Sequence, residues 1–352
     1  VLGRGLGALV QNRNLEKILD FVRKVLQRSL VGGAIRWLLI TAIPTGFRFL
    51  GYNPRVFEGE VGARPPVAYY TDINGGFVRN QFLFERPISW GFALVALWPL
   101  LWWLAVRGKS RKKSWIWIVL FLVNLLSTFS RAAWIAWIVQ VAILVWWERD
   151  LKFLRTKQFW KVGLAVLAGV VLLGSVARVG RRHVIERSFS TVGHVEHTLR
   201  ALEKIGEKPL LGWGAGTTGP AAHHGETATK YNAENQFLQI WIEYGFLGFV
   251  GWMILWVGLR WKTAVAGIRL RKLRKSREKT LTKNEVLVVG SFAVLGLGLL
   301  GLGIEGLVLH SWVDRMIVYP VAILLGLTGV ATRKIVKSKS GKSGKFLGFL
   351  GW

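Results

Sequence analysis

The chain has no cysteine and few acidic residues. The first absence excludes disulfides, thiolate catalysis and cysteine-ligated zinc. The second is a matter of balance: 19 Asp plus Glu stand against 48 Lys plus Arg, a formal charge of +29. Such an excess alone points to a nucleic-acid binder. What is abundant argues otherwise, since 52% of the residues are hydrophobic and the mean hydropathy is +0.36, too apolar for a water-soluble fold of ordinary composition. In a membrane protein the same basic excess collects in cytoplasmic loops. No nucleic-acid partner is expected. The chain begins with Val rather than Met and shows no leader pattern before its first apolar run, so the expectation is a segment of a longer chain with spans upstream.

Residues 87–106, 114–130, 132–147, 162–177, 286–304 and 316–332 contain no Asp, Glu, Lys or Arg, and 235–259 contains Glu243 as its one charge. A weaker run near 30–50 carries Arg36 and Arg48. About 20 helical residues cross a bilayer core, and the runs predict eight spans in an all-α, polytopic membrane helix bundle. Placing 1–30 in the cytoplasm puts 32 of the 48 Lys and Arg on the inner side. The expected organisation follows. A basic cytoplasmic segment covers 1–30, and spans one to five with an outer loop near 48–86 cover 31–177. A large outer loop covers 178–234, spans six to eight with a basic inner loop at 259–284 cover 235–332, and a basic tail covers 333–352. Residues 114–147 must turn back at Ser130 and Arg131, because a single helix would place two basic segments on opposite sides.

Long polar loops between spans carry function more often than structure. The second outer loop holds five of the six His: His183, His194, His197, His223 and His224. At the turn between two short spans, Arg131 is either an interfacial anchor or, with its planar fork, a phosphate ligand. Asn235, Gln239 and Glu243 recur at four-residue spacing and predict one polar stripe on an otherwise apolar helix, facing protein or water. Gly245, Gly248 and Gly251 read as a smooth packing surface. Residues 212–216, GWGAG, read as a turn after Pro209, because no strand precedes them and no Lys-Ser/Thr follows, so no P-loop is supported. His194 and His197 are spaced to share a helix face with Arg200, and no metal site is expected. His310, Asp314 and Arg315 form a short outer cluster.

In order along the chain, these residues resemble the O-antigen ligase and polymerase family. Ligases of that family show His-Asn, nine residues, then Gly-x-x-Gly; here the sequence is Glu234-Asn235, nine residues, then Gly245-Phe246-Leu247-Gly248. The likeness extends to Ser130-Arg131-Ala132, to Pro209-x-x-Gly212-x-Gly214 with Arg200 before it, and to Arg79 with Pro87. The spacing is kept while Glu234 replaces the family histidine. The resemblance implies a GT-C-like membrane glycosyltransferase of the inner (plasma) membrane. It would use no cofactor and would move a glycan from a polyprenyl diphosphate donor to an acceptor glycan, lipid or protein at the outer face. Arg131, Arg200 and Arg79 would meet the diphosphate charge, Glu234 would be the base that takes the acceptor proton, and Asn235, Gln239, His194 and His310 would contact substrate. The alternative is a transporter or flippase of lipid-linked sugars.

Overall fold

The computed structural model describes residues 12–43, 69–72, 75–107, 114–147, 188–219, 232–275 and 281–340. Eight helices and one small hairpin make up these segments: α1 (Asn12–Ala42), β1 (Tyr69–Asp72), β2 (Gly75–Arg79), α2 (Pro87–Arg107), α3 (Ser114–Ser127), α4 (Arg131–Trp147), α5 (Ser188–Glu207), α6 (Gln236–Lys275), α7 (Lys283–Gly306) and α8 (Arg315–Ser340). β1 and β2 pair antiparallel.

α7 is the axis of the bundle. It is apolar around its whole circumference, as a helix enclosed on all sides must be, and it packs against α2, α4, α6 and α8. Its start is fixed by a capping box: the Glu285 amide donates to Thr282 Oγ1 at 3.2 Å, and the Thr282 amide donates to Glu285 Oε2 at 2.6 Å. Glycines on α7 let neighbours approach closely. A side chain at Gly298 would collide with the Ala96 backbone of α2, and one at Gly296 with Thr263 of α6. Gln140 of α4 cross-links this core, donating to the carbonyls of Val95 and Leu297 at 2.9 and 2.8 Å.

Four helices are long and apolar enough to cross a membrane: Pro87–Ala105, Gln236–Lys272, Lys283–Gly306 and Arg315–Val336. α3 and α4 are apolar but shorter, at 14 and 17 residues. The expected count of eight is therefore not reached among the described residues. The run at 162–177 lies outside them. The weak run near 30–50 falls partly in α1, a 31-residue helix that starts within 1–30, continues past it and is not among the four span-length apolar helices.

The run at 235–259 needs a larger revision, because α6 is not straight. In a continuous helix Phe237 and Trp252 would stand about 22 Å apart, at 1.5 Å per residue. Their ring centroids are 5.5 Å apart, Phe237 also meets Trp256 at 6.2 Å, and Trp241 stacks on Phe249 at 5.1 Å. The helix folds back on itself at Gly245, whose φ of 66° and ψ of −173° are not helical. A short first arm, residues 236–244, thus lies against the start of a long second arm, residues 246–275, which descends along α7.

The expected turn between α3 and α4 is present at residues 128–130, with Trp134 Nε1 donating to the Leu125 carbonyl at 3.0 Å across it. It lies at the same end of the bundle as the starts of α2, α6 and α8 and the end of α7. A side chain added at Gly91 of α2 would stand 3.6 Å from Ser130 Cβ and 3.8 Å from Glu305 Oε1, and one at Gly306 would stand 3.3 Å from Gln236 Cβ. At the opposite end, Asn284 donates to Glu16 at 2.9 Å. Four helix N-termini, those of α2, α4, α6 and α8, therefore gather at one end.

Candidate functional site

The bend at Gly245 builds the site. Breaking the helix there frees the carbonyls of Ile242 and Glu243, which accept hydrogen bonds from the amides of Trp213 and Gly214 at 2.7 and 2.9 Å; in return the Phe246 amide donates to the Pro209 carbonyl at 2.8 Å. The Pro209–Gly214 turn is thus a backbone clamp on α6. The clamp needs glycine on both sides, since Gly212 has φ of 72° and a side chain on it would stand 2.5 Å from the Gly245 nitrogen. It also holds α5, which precedes the turn, against the first arm of α6 through buried Ala201 and Ile205.

Docked in this way, α5 carries His194 to Glu234. Glu234 Oε2 stands 2.7 Å from His194 Nδ1. The Glu234 backbone is left-handed, with φ of 47°, a conformation that costs a non-glycine residue about 1–3 kcal/mol and persists where its surroundings enforce it. Those surroundings are visible on both flanks. Asn232 pairs through Oδ1 with His310 Nε2. Asn235 caps α6 by accepting from the amides of Phe237 and Leu238 at 2.9 and 3.1 Å, and it donates to the Leu307 carbonyl beyond α7 at 2.8 Å. Gln236 Oε1 accepts from the Trp312 amide at 3.1 Å. The segment before α6 and the turn after α7 are therefore one bonded unit.

Electrostatics follow from this packing. Burial pushes the Glu234 carboxyl up, but contact with His194 and the imidazoles of His194, His197 and His310, when they are protonated, outweigh it and hold the group below the ordinary carboxylate range. Burial pushes the His310 imidazole down to about 4, with Glu234 opposing the shift and Arg86 adding to it. His310 is thus neutral near pH 7. Because an amide oxygen accepts, its Nε2 carries the proton, and the buried Nδ1 has no partner. The arrangement is a carboxylate ringed by imidazoles, open to solvent on the His194 side.

The family described as O-antigen ligase matches the chain over residues 116–253. Over that stretch the chain is similar to the O-antigen ligase family. No curated protein matches it. The matched stretch begins in α3 and ends in the second arm of α6, so it includes the 128–130 turn, α5, the clamp and Glu234. Its apolar helices make this a membrane protein. His310 approaches Glu234, and Arg86 approaches His310, from flanking sequence outside the matched stretch.

Within the matched stretch Arg131 opens α4, half-buried, directly after the buried Ser130. Arg79 supports that turn: its Nε donates to the Thr128 carbonyl at 2.8 Å, and beside it Asn80 donates to the Ser127 carbonyl at 2.7 Å. Gln239 is buried on the first arm and donates to Glu243 at 3.2 Å, with Gly219 directly over it. The polar stripe therefore faces protein, packed under the clamp. Arg200 is not gathered into the Glu234 cluster; it lies exposed on α5, ion-paired to Glu196 one turn away. The glycine spacing has a different meaning from the one expected. Gly245 makes the bend, Gly248 lies against Tyr244 across it, and a side chain at Gly251 would meet nothing within 4 Å.

Sequence reasoning missed Arg86, Asn232 and Glu305. Arg86 was visible as the last charge before Pro87. Glu305 was passed over because the apolar run was ended at the residue before it; it is fully buried, with neither oxygen hydrogen-bonded, next to Gly91. Among the described residues no group of three or more His, Cys, Asp or Glu is placed to hold a metal ion. His183, His223 and His224 lie outside the described residues.

Proposed function

We propose that this protein is an O-antigen ligase- or polymerase-like glycosyltransferase. It moves a glycan from a polyprenyl diphosphate carrier of the undecaprenyl type to lipid A core, a growing polysaccharide or a protein, at the outer face of the inner membrane. Its bundle is of the GT-C kind, with about eight spans in all. One observation carries this reading: the Glu234–His194 pair stands at the end of the bundle where four helix N-termini and Arg131 converge.

The chemistry requires both features. Breaking a glycosyl phosphate bond leaves a diphosphate, whose charge needs preorganised positive groups. Helix N-termini present about half a positive charge each, and Arg131 adds a planar donor fork at one of them. Arg86 brings a second guanidinium near His310, while Arg79 acts by holding the turn that presents Arg131 and Arg200 adds positive charge from α5. The acceptor hydroxyl must lose its proton as it attacks, and the Glu234–His194 pair is the acid-base group in place for that. Asn235 fixes the geometry around it, and Gln239 and His310 complete the walls. The exposed side chains of Ile254, Leu255, Met316 and Ile323 on α6 and α8 suit contact with lipid tails.

A broken helix such as α6 is also found in transporters, where the break lies at the membrane midplane. Here the break lies beside the end of the bundle, level with the clamp, which favours the enzyme. Cells lacking the protein should accumulate a glycan on its lipid carrier, and detergent-purified protein should transfer that glycan to an acceptor in the same lipid extract. Movement of the lipid across liposomes without transfer would instead establish the transport reading.

A further inference from the structure

Resting on the transferase reading, we propose that His194 Nε2 takes the proton of the acceptor hydroxyl and that Glu234 is the residue that positions and supports this imidazole. The pair brings a carboxylate against an imidazole: Glu234 Oε2 is 2.7 Å from Nδ1, a close polar contact whose angle is not that of a hydrogen bond. Nδ1 is shielded from solvent while 29% of the His194 side chain remains exposed. The open part of the ring is therefore the part away from Glu234, where Nε2 lies. A carboxylate at Nδ1 keeps the ring proton on that nitrogen and leaves the lone pair on Nε2. It also stabilises the imidazolium once the second proton arrives.

Glu234 is poorly suited to act directly. One of its oxygens is occupied by His194, which leaves it less free to reach an acceptor hydroxyl. Its position is rigid, set by the left-handed backbone, the Asn232–His310 contact and the Asn235 cap. That rigidity suits an orienting group. The other titratable or charged groups facing the pair are His197 on α5 and His310 on the turn after α7, with Arg86 before α2 beside His310.

In the step itself, the acceptor oxygen forms a bond to the anomeric carbon as its proton passes to His194 Nε2. The carbon–oxygen bond to phosphate breaks, and its electron pair leaves with the diphosphate. The imidazolium, paired with the Glu234 carboxylate, then returns its proton to water or to the departing lipid diphosphate.

The test uses the purified full chain and the lipid extract of cells that lack the protein, as the source of donor and acceptor. His194→Gln keeps a donor for Glu234 and should preserve thermal stability while lowering kcat about 100-fold to 10,000-fold, with little change in the donor KM. His194→Ala should be restored in part by added imidazole, and the restored rate should rise with the basicity of ring-substituted imidazoles, which a structural role would not produce. Glu234→Ala should gain nothing from imidazole. A His194→Gln rate equal to that of the unsubstituted protein overturns the assignment, as does a His194→Ala loss that no imidazole restores. An unsubstituted protein that transfers no glycan from this extract overturns the transferase reading and this step together.

Discussion

Replacing Gly245 by Ala separates the bend from simple helix packing. The added Cβ would collide with the Leu210 carbonyl and stand 2.5 Å from the Leu211 nitrogen, both backbone atoms that no side-chain rotation can clear. Alanine would also have to adopt φ of 66° with ψ of −173°, a region used almost exclusively by glycine, at a cost of about 1–3 kcal/mol. Relief requires the Pro209–Gly214 turn to move, which breaks three backbone hydrogen bonds to α6, each worth about 1 kcal/mol net. The expected loss is about 3–6 kcal/mol for the clamp. Gly251→Ala is the control: nothing lies within 4 Å of the new methyl, and a better helix former there should be neutral or stabilising by up to about 1 kcal/mol. Thermal unfolding in detergent gives the stability order, and protease nicking between α5 and α6 reads the clamp directly. Equal stability of the two variants would refute the bend.

Three further outcomes follow from the site. Because His310 is held near 4 in the fold against an ordinary value of 6.5, the unfolded chain takes up the proton first as pH falls. Stability from this group is present above pH 6.5 and is lost between there and about 4, amounting to about 3 kcal/mol; His310→Gln should flatten the melting temperature across that window. Arg131→Lys keeps charge but loses the fork, so transfer should drop strongly while the melting temperature holds; full activity would reduce Arg131 to an interfacial anchor. With no native cysteine to interfere, Leu211→Cys at the exposed tip of the clamp should react with an impermeant reagent in intact cells, and Lys334→Cys near the far end of α8 should not; the reverse pattern would invert the topology.

Much of the bundle was legible because charge-free runs report helices that bury or face lipid. The turn before Arg131 was legible from the two basic segments it had to keep on one side. The stripe of Asn235, Gln239 and Glu243 was legible from its spacing, although what covers it is the distant clamp. The fold-back at Gly245 was not. A glycine in an apolar run serves packing or a bend equally well, and only a partner such as the Leu210 backbone distinguishes them. The residue numbers likewise gave no hint that His194 reaches Glu234 rather than pairing with Arg200, since that contact depends on how α5 docks. Glu305 escaped because apolar runs were bounded at charges, whereas α7 encloses this one.

The account rests on glycan transfer at Glu234, and one substitution addresses it most directly. Glu234→Gln keeps the size and hydrogen-bonding shape of the side chain but removes its charge, so the imidazole loses the bias of its tautomer and the stabilisation of its protonated form. Transfer from the lipid-linked donor by the purified variant should fall about 100-fold to 10,000-fold, while binding of the donor, measured by its protection of the protein against thermal unfolding, should persist. Normal turnover in Glu234→Gln would contradict the account, leaving Glu234 as a structural residue at the start of α6 and placing the chemistry elsewhere.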